Sequence, residues 1–346
     1  MTKRQAPEIK PLADYGFFGP DSVTWKVFAY PTAMTVGFQR TVTTEMFEPF
    51  LMASVSDTDA VMKRPALRFD RTLQYVATIA FGDTASVLKA SDVLVKIHSR
   101  IVGREPISGG TYDANDPQSQ LWIHLTQWHS VLYCYEKFGP GPLTEDEELQ
   151  YWAECALAAE FQTIDPADVP RNREEMRAYY ARMRPVLAAT EVAQQHVEHI
   201  LNAADALAGE VPWFARPIGP VVRTVFRMAT IATLPRWMRR MAGVRQGPVR
   251  DALAVAILRP SFALVHRFPR IAVMILRQSS PSTVPIVGPA VLGITPHDPV
   301  LSTPTKARTA AALKSPREQY AEQLAQRNAI PDAAPKDSQS ELLAFN

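Results

Sequence analysis

From about residue 22 to residue 276, apolar residues recur three and four apart in block after block, and almost nowhere do they alternate. A chain patterned this way folds as packed helices, and no set of short alternating segments joined by hairpin turns is present to build a sheet. The expected helices are 22–29, 31–39, 43–54, 69–81, 85–102, 117–137, 144–161, 172–187 and 190–208, with several more between 218 and 276. Their punctuation is consistent. Gly82-Asp83-Thr84 reads as a turn with an N-cap and Gly103 as a C-cap, while Asn115-Asp116-Pro117 places proline at a first helical position. Gly139-Pro140-Gly141-Pro142 separates two helices, and Thr144-Glu145-Asp146-Glu147 opens the second as a capping box.

The expectation is an all-α fold with one helical domain over 17–280. After it, 281–346 reads as an extended loop and a largely flexible C-terminal tail, with one short helix near Arg317 to Gln326. With 47% hydrophobic residues and only 15 glycines the chain can fill a sizeable core. Cys134 and Cys155 are the only cysteines and form no zinc-type or CxxC spacing, which indicates a reducing compartment. Met1 to Lys10 lacks the apolar run of a signal peptide, and no continuous apolar stretch is long enough to span a bilayer. A cytoplasmic protein, with association at a membrane surface left open, is the expected setting.

Charge is distributed unevenly. Segment 211–277 holds twelve arginines against the single acid Asp251 and no lysine, in a chain whose net charge is only +2. Prolines cut the segment into short apolar pieces, and Trp213, Phe214, Trp237 and Phe268 add aromatics. Two readings fit: helices lying on an anionic membrane surface, or amphipathic helices covering the core beneath snorkelling arginines. Nucleic acid is not expected as a partner, because the segment lacks lysine and any recognised binding motif.

His98 falls on the apolar side of its helix, four residues after Leu94 and three before Ile101. A histidine there either donates to a backbone carbonyl in the core or serves as a metal ligand. His124 and His129 are five apart and point to different sides of their helix. His196 and His199, three apart, could share a metal or form part of a solvated face. No HExxH, GxSxG, GxGxxG or P-loop motif occurs, which removes the commonest hydrolase and nucleotide readings. Arg68, Arg71, Thr72 and Tyr75 share one helix face, either a solvated stripe or a set of donors for carboxylates or phosphates.

Several blocks together resemble a known family. Phe18-Gly-Pro-Asp-Ser-Val-Thr-Trp-Lys26, Arg68-x-x-Arg71-Thr72 with Phe81-Gly82-Asp83, Val95-Lys-Ile-His98-Ser-Arg-Ile-Val-Gly103, Asp116-Pro117 followed by Leu121-Trp-Ile-His-Leu-Thr126, and Tyr151-Trp152 are similar, in order, to the catalytic domain of the ER-bound oxygenase MpaB and of the rubber oxygenases called latex-clearing proteins. The resemblance spans roughly 17–245. It implies a globin-like helical core that binds haem b and uses O2 on hydrophobic substrates, including cleavage of isoprenoid double bonds. His98 matches the axial iron ligand, and Arg68, Arg71 and Thr72 match the polar block near the haem, with Arg71 and Thr72 as catalytic candidates. His124 would be a pocket residue or a partner to the ligand. In the rubber oxygenases a lysine that can ligate iron stands where this chain has Arg71. A guanidinium stays protonated, so the resemblance implies a five-coordinate or water-bound iron here. Tyr30-Pro31 stands where many relatives have His-Pro. A haem-binding or membrane-associated protein without turnover, acting as sensor or carrier, is the alternative function.

Overall fold

The structure, a computed structural model, describes residues 8–58, 64–106, 108–203 and 219–329. Among them run α1 (Val23–Phe28), α2 (Phe38–Glu45, entered through a π-helical turn at Ala33–Gly37), α3 (Pro49–Thr58), α4 (Pro65–Phe81) and α5 (Thr84–His98). A short ribbon of β1 (Val102–Arg104) and β2 (Thr111–Asp113) precedes α6 (Pro117–Phe138), α7 (Glu145–Ala159), α8 (Arg173–Met183) and α9 (Glu191–Asn202). Then follow α10 (Gly219–Thr233), α11 (Arg236–Met241), α12 (Pro248–Arg267), α13 (Pro269–Ser279), α14 (Val284–Leu292), α15 (Pro304–Ala310) and α16 (Pro316–Ala329). The all-α expectation holds.

The starts fall where the capping residues put them. Asp83 accepts from the Ser86 amide, Asp116 accepts from Gln118 and Ser119, and Thr144 with Glu147 forms a complete capping box. The centre of the fold is α6, whose Trp122, Leu125, Cys134 and Phe138 are fully buried. A helix buried on nearly every side needs neighbours all round, and α1, α2, α7 and α12 supply them.

Three expectations give way. The helix expected over 85–102 stops at His98, and the chain turns into the antiparallel ribbon, which pairs Val102 with Asp113 and Gly103 with Tyr112. Strands of three residues carry too little periodicity to register in a sequence. Gly103 is therefore no C-cap; a Cβ there would stand 2.4 Å from the Tyr112 hydroxyl, so glycine is what lets the ring lie across the ribbon.

Second, the stretch read as an extended loop from 281 contains α14, whose pattern is hidden by Pro285, Gly288 and Pro289. Beyond Leu292 the chain does extend, running beside the N-terminal segment through Tyr15 N to Val300 O (3.1 Å) and His297 N to Leu12 O (2.9 Å). Third, α15 and α16 are fastened to the body rather than loose. Arg308 donates to Asp92 (3.0 Å) and to Ser91 Oγ (2.7 Å) on α5, and Asn115 donates to Gln323 (3.0 Å). The tail read as flexible over 330–346, and Trp213, Phe214 and Arg216 of the arginine-rich segment, lie outside the described residues.

Candidate functional site

An apolar cavity of about 550 Å3 opens between the N-terminal half of α4, the π-helical turn with α2, and helices α10, α12, α13 and α14. Phe28, Met34, Phe38 and Phe69 form one side of it, and Phe226, Leu258, Phe262 and Leu276 the other. The arginine-rich segment thus supplies a third of the residues that line the cavity, a role its composition did not announce. A volume of this size suits a small-molecule site lined mainly by hydrocarbon.

Few polar groups reach the cavity. Gln39 is already engaged, donating to Ile200 O (2.8 Å) and accepting from Thr230 (2.7 Å). Tyr30 is buried, its ring 4.7 Å from that of His266 and 5.4 Å from that of Tyr135, and burial pushes its phenol above the usual range while Arg259 opposes this. His199 lies on the wall with no hydrogen-bond partner for Nε2 among the described residues. The pair His196 and His199 is therefore not a solvated face: His196 is buried, its Nδ1 2.9 Å from the Val192 carbonyl, and only His199 meets the cavity.

Arg68 and Thr72, one turn apart on α4, join Thr35, Ser261, Gln278 and Ser279 in the polar contribution. Arg71 and Tyr75 leave that wall, and the Tyr75 hydroxyl instead approaches Phe161 O at 3.5 Å. The face predicted from the four-residue pattern is thus split by the packing. Between its members Asp70 accepts from Ser280 and Ser282, both at 2.7 Å, and so pins α4 to the start of α14.

Behind Arg68 stands a carboxylate that sequence reasoning missed. Burial lowers the pKa of Arg68 and raises that of Glu45 to about 7; each opposes the shift of the other, and Thr126 also favours ionised Glu45. The Thr126 hydroxyl lies 3.4 Å from Glu45 Oε1. One signal was legible: Glu45 ends α2, and a helix C-terminus disfavours a negative charge unless something else holds it.

His98 closes α5 and packs against the start of α6. Its Nδ1 is 2.7 Å from Gln120 Nε2, which also donates to the Ala114 carbonyl at 2.6 Å. Burial pushes its pKa down to about 4, with the nearby Ala114 carbonyl opposing and the Arg68 charge adding to the fall. The imidazole is therefore neutral. His98, Arg68 and Glu45 are each half-buried, and burial is the largest cause of all three pKa shifts. His98 itself does not border the large cavity; Arg68 borders it and acts on His98.

His124 has a different place. It is buried on α6, its Nε2 2.8 Å from the Cys155 carbonyl, and it ties α6 to α7 away from the cavity. Burial brings its pKa down to about 4 as well. Among the described residues no three His, Cys, Asp or Glu side chains converge as a ligand group, so His98 stands as a single protein nitrogen. No helix among them is long and apolar enough to cross a membrane.

One family model matches the chain, over residues 25–268, and its description is ER-bound oxygenase mpaB/B'/rubber oxygenase, catalytic domain. No curated protein and no solved structure matches.

Proposed function

The chain belongs to the catalytic-domain family of the ER-bound oxygenases mpaB/B' and the rubber oxygenases, and we propose that it is a haem b-dependent oxygenase acting with O2 on a hydrophobic, isoprenoid- or lipid-like substrate. The observation that carries this reading is the apolar cavity of about 550 Å3 whose few polar groups include Arg68 and Thr72 of the family block.

The residues fit the cofactor. Haem iron takes one protein nitrogen where a bare metal ion needs several ligands, and His98 offers one neutral imidazole. Gln120 Nε2, 2.7 Å from Nδ1, holds the ring beside the Ala114 turn, so Nε2 of His98 would be the nitrogen that takes the iron. When bound there, haem would supply the binding and activation of O2.

The chain's own groups do the rest. The hydrocarbon walls take up a lipophilic substrate and displace water from around it. Arg68, held charged beside Glu45, offers hydrogen bonds at the edge of the cavity to an anionic group such as a propionate. Glu45 titrates near neutrality, which suits a group that takes up or releases a proton during turnover. Thr72 presents a hydroxyl one turn from Arg68 on the same wall. A guanidinium offers donors and no lone pair for a metal, so Arg71 would supply hydrogen bonds near the cofactor and not a ligand to it.

The test is oxygen consumption by the haem-loaded chain with a linear polyprenyl alkene, with oxidised products followed by mass spectrometry. Uptake coupled to product formation is expected. A haem-loaded chain that consumes no oxygen with polyprenyl, fatty-acyl or sterol substrates would replace this reading with that of a haem carrier or sensor.

A further inference from the structure

The outer face of α12 and α13 carries hydrocarbon where a water-soluble surface carries polar groups. On α12 the core-facing line is Ala254, Leu258 and Phe262, yet Val249, Leu253 and Ile257 follow at four-residue steps on the opposite, exposed side, with Leu264 completing that line. Val249 is 79% exposed. On α13 Ile271, Met274 and Ile275 repeat the pattern at three and four residues, with Met274 62% exposed. Contiguous exposed hydrocarbon of this kind marks a surface that is covered in use.

Exposed basic side chains lie on the same two helices and on and after α11, just before them. Arg239 is paired with Asp251 and Arg227 with Glu198, but Arg236, Arg240, Arg245, Arg250, Arg270 and Arg277 are exposed and form no ion pair among the described residues. The cavity wall reaches this side: Ile275, at 43% exposure, belongs both to the apolar line of α13 and to the wall, and Val222 of α10, also on the wall, is 41% exposed.

We infer that the arginine-rimmed apolar face of α12 and α13 docks on an anionic lipid surface, so that the cavity between Val222 and Ile275 opens toward the bilayer and takes its lipophilic substrate from it. The second half of this inference rests on the cavity being the substrate site; the first does not. Exposed Leu, Ile, Met and Phe side chains enter the acyl boundary while arginines meet lipid phosphates, the pattern of helices that lie in an interface without spanning it. A second copy is a poor occupant, because a two-fold interface would set this arginine rim against itself.

Co-sedimentation of the full chain with vesicles tests the inference, using phosphatidylcholine alone and phosphatidylcholine mixed with phosphatidylserine. Binding is expected to the mixed vesicles and to weaken with salt. Each arginine removed should lower the partition coefficient roughly fivefold, so the Arg250→Gln, Arg270→Gln double variant should fall well over tenfold. Leu253→Asp with Leu264→Asp should abolish binding, and since all four residues are exposed and off the cavity wall, haem content and melting temperature should stay as in the parent chain. No binding to mixed vesicles, or equal binding to both kinds, overturns the inference. So does light scattering that reports a dimer which these variants dissolve. The two readings fail separately: a haem-free chain that binds anionic vesicles removes the oxygenase, whereas a haem-loaded chain that ignores them removes only the docking.

Discussion

Gln120 Nε2 stands 2.7 Å from Nδ1 of His98 and 2.6 Å from the Ala114 carbonyl, so one buried amide holds both the imidazole and the turn before α6. With both amide hydrogens given, Nδ1 accepts and the ring proton would sit on Nε2. A metal held through Nε2 would require the proton on Nδ1, where the Gln120 amide oxygen, after a half-turn of the amide, would accept it.

Gln120 is thus expected to govern how tightly His98 binds iron. Gln120→Leu should weaken haem affinity roughly 10–100-fold, the usual consequence of removing the partner of a metal-bound histidine. Gln120→Glu, which gives Nδ1–H a permanent acceptor, should retain or tighten it. Haem titration followed by absorption reads both; equal affinity in all three proteins would show that Gln120 has no such role.

Glu45 should leave a mark on stability as a function of pH. Its folded pKa of about 7 lies above the ordinary carboxylate value of 4.5, so the folded chain holds this proton more tightly than the unfolded one. The group is without cost below about pH 4.5, and stability falls as pH rises from there through 7, by up to about 3 kcal/mol. Glu45→Gln removes the term. Urea denaturation should find the variant equal to the parent near pH 4.5 and more stable at pH 8, and a constant difference between the two proteins across that range would contradict the assignment.

Filling the cavity should separate substrate from cofactor. Ala272 lines the wall on α13, away from His98, and Ala272→Trp puts a bulky ring where substrate is expected. Oxygen uptake should fall roughly 10–200-fold, the range by which a hydrophobic pocket discriminates against misfitting volume, with the haem spectrum unchanged. Unaltered uptake would move the substrate elsewhere.

His124 should behave as a structural residue. His124→Leu removes the buried hydrogen bond to the Cys155 carbonyl, at a cost of about 0.5–1.5 kcal/mol in folding. Haem should still bind. Loss of haem at full stability would instead make His124 part of the cofactor site.

The sequence displayed the helices wherever an amphipathic stripe met a strong cap, as at Asp83, Asp116 and Thr144. It hid α14, whose prolines and Gly288 imitate a loop, and the ribbon that ends α5 at His98. In the site, Arg68 and Thr72 were legible because helical spacing alone puts them on one face. That Arg71 and Tyr75 leave that wall depends on partners far away in the chain, such as the anchor of Asp70 to Ser280 and Ser282, 210 and 212 residues on. Beyond the place of Glu45 at a helix end, Glu45 and His199 gain their character from burial, which a polar helix face does not reveal.

The account turns on His98 as an iron ligand. An absorption spectrum of the purified chain after haem reconstitution, recorded oxidised, reduced with dithionite and under carbon monoxide, tests it most directly. The prediction is an intense Soret band that shifts on reduction and again with carbon monoxide, and that is lost in a folded His98→Ala variant. A parent chain that takes up no haem, or a His98→Ala variant with an unchanged spectrum, would contradict it.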